Sequence, residues 1–165
     1  LFSKNKVYSI TLVKRKKKDA NFVRLGDLVE LNHENRATDP MRIVDLACFP
    51  KEGIILESDF EKLPLTSPVG PCRILNCDGL LLSGVKRGLK CICFKRNDKF
   101  PVAYSSDRIF SLKLKSKNVG LEFLACELNG ADYVNEQIDA LTAGSVLLRL
   151  RSFELMNILY YLKEL

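Results

Sequence analysis

CDGLLLSGVKRGLKCICFKRNDKFPVAYSSDRIFSLKL, Cys77 to Leu114, is the stretch that decides the fold. Three apolar runs lie in it: Leu80 to Leu82, Leu89 to Phe94 and Ile109 to Leu114. Gly84 and Gly88, Asn97-Asp98, Pro101 and Ser105-Ser106-Asp107 punctuate them. Short β-rich runs broken by Gly, Asn, Asp and Pro read as adjacent strands of one sheet. Lys86, Arg87, Lys95, Arg96 and Lys99 sit between the runs, not inside them. Strands fix where each loop cation points, so a sheet with basic loops at its ends can face a polyanion.

The rest of the chain is consistent with a single domain. Its 165 residues are 47% hydrophobic. A chain of that length buries roughly 70% of its unfolded surface, so a core forms without staples. No run approaches the roughly 20 apolar residues of a membrane helix. Residues 1–12 lack the pattern of a secretory leader, and the chain opens on Leu1. The expectation is a cytoplasmic piece of a longer protein with no membrane partner.

Charge is unevenly distributed. Residues 1–20 hold seven Lys or Arg and one Asp; residues 86–117 hold ten Lys or Arg and two Asp. The remainder is acidic, although the whole chain carries +6. A basic face opposing an acidic one makes phosphate the natural partner, against the plainer reading of solvated loops.

The six cysteines are Cys48, Cys72, Cys77, Cys91, Cys93 and Cys126. Cys91 and Cys93 flank Ile92 in a strand-like run, so both side chains point to one face. Buried free thiols in a reducing cytoplasm are the expectation. Paired zinc knuckles need other spacings, so neither a metal nor a cofactor is expected.

In order, Val7 to Val13 reads as a strand and Lys14 to Lys18 as an exposed basic linker. Residues 1–21 are thus an N-terminal strand and linker, and residues 22–165 the domain proper. Phe22 to Leu31 begins extended and turns helical, with Leu25, Leu28, Val29 and Leu31 on one face. Met41 to Phe49 reads as a strand, Gly53 to Leu56 as a short apolar run and Glu57 to Lys62 as weakly amphipathic. Pro64 to Pro71 reads as loop and Cys72 to Leu75 as a strand. Leu121, Leu124 and Leu128 define one helix, capped at Gly130, and Tyr133 to Leu141 a second. Val146 to Leu150 reads as a strand; Phe153 to Leu162 is ambiguous. The class expected is α+β: a twisted, mostly antiparallel β-sheet with two or three helices.

Catalytic motifs are missing. His33, the one histidine, lies in a loop beside Glu34 and Asn35, and no GxSxG elbow exists. GVKRGLK at 84–90 has glycines and cations but not the order of a phosphate loop. Glu57, Asp59 and Glu61 keep a metal-dependent nuclease fragment open as an alternative, and the apolar tail Ile158 to Leu162 a protein-interaction module. The absence of every motif together points to a binding module that is not an enzyme.

The order of several loose motifs resembles a target recognition domain of a type I restriction–modification specificity subunit, or of a related DNA methyltransferase. VRLGDLVEL (23–31) resembles its opening segment, and CDGLLLSGVKRG (77–88) its acidic-hydrophobic-Ser strand and glycine loop. AYSSDRIFSLKL (103–114) resembles its strand pair with an internal Ser. Residues 121–142 resemble its paired helices, which lead to a small-residue turn, here Ala143-Gly144-Ser145. LRLRSFELMNI (148–158) resembles the approach to its last strand. The likeness covers residues 22–165. Two features depart from it: ILYYLKEL stands where the family has a proline-rich exit, and the long helix that follows in the family is absent.

The resemblance implies a non-catalytic, sequence-specific reader of one half-site in double-stranded DNA, partnered by a DNA methyltransferase subunit or domain. The DNA-binding candidates are Ser83, Lys86, Arg87, Lys95, Arg96, Lys99, Ser105, Ser106, Arg108, Gly144, Ser145, Arg149 and Arg151. Cations beside glycine approach phosphate together with backbone, and Arg can fork onto guanine.

Overall fold

The run at 79–83 is buried at all five positions, because both of its faces are covered. The computed structural model describes residues 22–33, 35–49, 57–83, 91–96, 98–115, 117, 119–142 and 151–161. The expected strand and linker before residue 22, the apolar run at 53–56 and the strand at 146–150 lie outside these. Along the chain come β1 (Phe22–Arg24), α1 (Leu25–Leu28), β2 (Val29–Leu31) and β3 (Met41–Val44). A 3-10 turn at Leu46–Cys48 and α2 (Glu57–Glu61) precede β4 (Leu65–Thr66) and β5 (Cys72–Ile74). Then follow β6 (Gly79–Ser83), β7 (Cys91–Phe94), β8 (Val102–Ser105) and β9 (Ile109–Leu114). The chain continues with α3 (Leu121–Gly130), α4 (Asp132–Thr142), α5 (Ser152–Met156) and β10 (Leu159–Tyr161).

The class is α+β, as expected, with the strands divided between stacked sheets. Sheet I has the order β2-β9-β6-β7 and is antiparallel throughout. The three apolar runs are indeed neighbours in it. Sheet II has the order β4-β3-β8-β5 and is mixed, β3 and β8 running parallel. β1 and β10 form a separate antiparallel pair.

Strand alternation divides sheet I between two cores. Leu80, Leu82, Cys91, Cys93 and Leu112 join Leu124, Leu128, Val134 and Ile138 of α3 and α4, and Leu25, Leu155 and Tyr160 of the flanking elements. Leu81, Ile92, Phe94 and Ile109 face the other way, against Val44, Val102 and Tyr104 of sheet II and Phe60 of α2. Phe60 meets Phe94 edge-to-face, with ring centroids 5.3 Å apart. The result is three layers: helices, sheet I, sheet II. Burying each leucine of β6 is worth roughly 1.5–3 kcal/mol. A third, smaller cluster of Ala37, Met41, Cys72 and Ala103 lies on the outer face of sheet II.

Local readings are refined in several places. The helix expected through Leu31 stops at Leu28, and Val29 to Leu31 form a strand paired with Leu112 to Leu114. Val29 buried, Glu30 exposed and Leu31 half-buried is a period of two, and the β9 edge captures it. Asp27 Oδ2 accepts from the Arg24 amide at 3.3 Å at the start of the turn. The strand from Met41 ends at Val44, where Asp45 Oδ1 accepts from the Ala47 amide at 2.8 Å and starts the 3-10 turn. Residues 103–114 contain both expected strands, but these pair in different sheets. The segment 106–108 carries the chain from sheet II to sheet I, and both the amide and Oγ of Ser106 donate to the Pro71 carbonyl, at 2.9 and 3.0 Å. The ambiguous stretch after Arg151 resolves into α5 and β10. Ile158 and Tyr160 are buried in the main core, and the Tyr160 hydroxyl donates to the Leu124 carbonyl at 2.7 Å. Those two side chains therefore serve the fold and not a docking surface. Among the described residues no helix is long and apolar enough to cross a membrane.

β7 is an edge strand, and its exposed backbone is occupied by a side chain. Asn129 of α3 accepts from the Cys91 amide and donates to the Cys91 carbonyl, both at 2.7 Å. The amide thus acts as one more rung of the ladder. Orphaning a backbone group costs about 1–3 kcal/mol, so Asn129→Ala should lower stability by about 2 kcal/mol or more. Asn129→Asp, which keeps only the acceptor, should also be destabilising. Urea unfolding measures both.

Gly79 sits where a Cβ would run into the Leu112 carbonyl on β9. Backbone cannot step aside as a side chain can, so Gly79→Ala should cost about 1–3 kcal/mol, the range of core overpacking. A calorimetric midpoint unchanged from wild type would contradict this.

Candidate nucleic-acid interface

Strand register sorts the candidate residues by position. β6 and β7 pair as a hairpin, with Leu82 opposite Cys91 near its turn and Gly79 opposite Phe94 at its open end. Ser83 lies opposite Ile109, and Cys72 opposite Ser105. Ser83, Cys91, Ser105 and Arg108 therefore stand at one end of the sheets, the corner end. Lys95, Arg96 and Lys99 leave β7 at the opposite end, about 10–13 Å along the strand at roughly 3.3 Å per residue. The candidates that the structure describes thus form two groups, not one array.

At the far end the cations are bound into the fold. Lys95 Nζ lies 3.0 Å from Glu122 Oε1 in the first turn of α3. The Glu122 carboxylate is held below its ordinary range, first by its own backbone amide at the helix start and then by Lys95. The Lys95 ammonium is pushed up by the same pairing. Arg96 Nε is 3.1 Å from Asp98 Oδ1, its Nη1 donates to the Asn76 carbonyl at 3.1 Å and its amide to Asp78 Oδ1 at 2.6 Å. Lys99 is exposed on the same segment.

At the corner end Arg108 is exposed, with its Nε 3.6 Å from Asp107 Oδ2. Ser105 and Ser106 are half-buried, and Ser106 is committed to Pro71. Ser83 corrects the sequence reading: it is 7% exposed and lies between the layers, so it is not a surface contact. Lys86, Arg87, Gly144, Ser145 and Arg149 lie outside the described residues. Arg151 is exposed just before α5, and its amide donates to Glu154 Oε2 at 3.0 Å.

Arg108 and Ser105 line a cleft of about 690 Å³ on the outer face of sheet II. Ile43 and Cys72 also line it, with Asp45, Cys48 and Asp107 and the segment from Leu63 to Val69. Cys72 and Cys48 are both pushed up, chiefly by burial, so neither is a thiolate nucleophile at neutral pH. The cleft presents one guanidinium donor, two carboxylate acceptors and a hydroxyl. Asp45 and Asp107 were not anticipated. The pairing of Asp107 with Arg108 was visible in SSDR, but Asp45 reaches the cleft only through the parallel β3–β8 pairing. Among the described residues no three His, Cys, Asp or Glu side chains converge to hold a metal ion.

All six cysteines are free thiols, Cys126 exposed and Cys72, Cys91 and Cys93 buried. No protein-family model matches the chain, and no curated protein matches it in sequence.

Burial raises the Cys93 thiol from 9.0 to about 11 and drives Cys91 and Tyr160 upward as well. The folded state then holds protons that the unfolded chain releases. The stabilisation is complete below pH 9 and is lost as pH rises through 9 towards 11. The urea midpoint should accordingly fall between about pH 8 and pH 10, one unit either side of the ordinary thiol value of 9.0. Iodoacetamide should label Cys126 well before Cys91 or Cys93. Early labelling of Cys91 in the folded protein would contradict the burial assigned to it.

Proposed function

We propose that this chain is a double-stranded DNA recognition module without catalysis of its own. It reads one half of a split site for a restriction–modification or N6-adenine methyltransferase complex in the cytoplasm. The observation that supports this reading most is the register of sheet I. It places Ser83 and Cys91, the described residues on either side of 84–90, at the same end of the sheets as Ser105, Ser106 and Arg108. Lys86 and Arg87 lie in sequence between those two residues, and Arg108 is exposed at the same end. That favours the corner end as the DNA-facing surface. Lys95 and Arg96, each beside a carboxylate, act mainly to fasten the far end.

Affinity for a cognate duplex should fall steeply with salt. About six phosphate contacts give a log–log slope near −5. Arg87→Ala and Arg108→Ala should each cost about 1–3 kcal/mol if the side chain reads a base. Lys95→Ala should change duplex affinity little and mainly loosen the start of α3. Fluorescence anisotropy on labelled duplexes at several salt concentrations measures all three. A flat salt dependence would overturn the proposal. So would magnesium-dependent plasmid cleavage abolished by Asp59→Ala, which would make the chain a nuclease.

A further inference from the structure

Helix α3 lies along β7, and two contacts fix its direction. At one end Asn129 accepts from the Cys91 amide and donates to the Cys91 carbonyl, both at 2.7 Å. At the other, Lys95 Nζ meets Glu122 Oε1 at 3.0 Å. The helix therefore runs antiparallel to the strand. From Glu122 to Asn129 it advances about 10 Å, and from Cys91 to Lys95 the strand advances about 13 Å. The lengths nearly match, so residues midway between the two contacts come opposite each other. On β7 the midpoint is Cys93. On α3 it falls at Cys126, four residues after Glu122 and three before Asn129, and hence on the same helix face.

Cys93 faces the helix and not sheet II. It belongs to the helix-side core with Leu124, Ala125 and Leu128 of α3, and is 1% exposed. Cys126 flanks those residues and is exposed. Asn129 has a short side chain, yet it reaches both backbone groups of Cys91. The helix thus approaches β7 to within the span of a short side chain. A disulfide asks for the same approach, about 5.5–6 Å between Cα atoms. The Cys93 thiol is pushed up to about 11 first by burial and then by Glu122, with a smaller part from Cys126, which agrees with this placement.

We propose that Cys126 and Cys93 are an oxidisable pair: the exposed thiol takes up a low-molecular-weight disulfide, and the buried one closes a bond that fastens α3 to β7. The Cys126 thiolate attacks one sulfur of the small disulfide, forms a mixed disulfide and releases the first small thiolate. The Cys93 thiolate then attacks the Cys126 sulfur and releases the second. Two electrons pass to the small disulfide, which leaves as two thiols carrying the protons of Cys126 and Cys93. The new bond closes a loop between residues 33 positions apart, which constrains the unfolded chain. Neither cysteine is among the residues assigned to DNA, so the pair stands or falls independently of that reading.

Two measurements on the intact chain test this. In the first, the folded protein is treated with oxidised glutathione and its peptides are mapped by mass spectrometry without reduction. The wild-type chain should lose two hydrogen atoms and yield a peptide pair joined through Cys93 and Cys126. Cys91→Ser should still form that pair. A lasting glutathione adduct on Cys126 with no cross-link would sink the proposal, and so would a cross-link from Cys126 to Cys91 in place of Cys93.

The second measurement is urea unfolding of the oxidised chain against the same chain reduced again with dithiothreitol. The oxidised midpoint should be higher and should return on reduction. Cys126→Ser, a change at an exposed position, should unfold like the reduced wild type and show no oxidant-dependent shift. A midpoint that drops on oxidation would mean that the bond distorts the packing, and the fastening role would be lost. An equal shift in Cys126→Ser would place the oxidation at other thiols and end the proposal.

Discussion

Everything in this fold follows from covering β6 on both faces. Gly79 to Ser83 has no exposed position, and Leu80, Leu81 and Leu82 are each at most 1% exposed. A strand that is apolar on both sides needs a layer above and a layer below it. The helices supply one and sheet II the other. The chain must therefore pass repeatedly between the sheets, from β2 to β3, β5 to β6, β7 to β8 and β8 to β9. Strand positions at the centre of sheet I are taken by core side chains, so charge collects in those crossing segments. The register of the strands then decides where each charge emerges.

The crossings differ in what they do with their polar groups. At the far end carbonyls and carboxylates of one crossing take up the cations of another: Asn76 and Asp78 both bind Arg96, and Glu122 binds Lys95. These contacts hold the end of the hairpin to α3 and to the 75–78 segment. Exposed pairs of this kind are individually weak, but here each is anchored on backbone already paired in a sheet or helix. At the corner end the tether is a serine bonded to a carbonyl, which consumes no charge. Arg108 is left at the surface, with its sequence neighbour Asp107 as an ion partner.

Much of this was legible in the residues themselves. The three apolar runs between Leu80 and Leu114 are neighbouring strands because turn residues separate them at strand length. The helices from Leu121 to Leu141 follow from a period of 3.6. What was not legible depends on contacts between distant residues. Val29 and Leu31 satisfy a helical face as well as a strand, and only the edge of β9 decides between them. β8 and β9 look like a hairpin, yet their neighbours are β3 and β6, strands far away in sequence. Ser83 reads as a loop-edge hydroxyl until sheet II is placed over it. Arg36 and Arg73 are 37 residues apart in the chain, and no local pattern announces that they pair across an isolated antiparallel bridge.

Under the proposed function, the carboxylates of the corner cleft matter as much as its arginine. A surface made only of cations attracts any phosphate and cannot tell one base pair from another. Discrimination needs acceptors as well as donors at fixed positions, because cytosine and adenine present amino donors in the major groove while guanine presents acceptors. Asp45 is fixed by its bond to the Ala47 amide, and Asp107 by the tethered corner. A carboxylate facing an incorrect base would be desolvated without a partner, which is more costly than losing one attraction. The same residues that lower general affinity for a polyanion would therefore sharpen its sequence preference. Lys86, Arg87 and Arg108 would supply the attraction that this selectivity gives up.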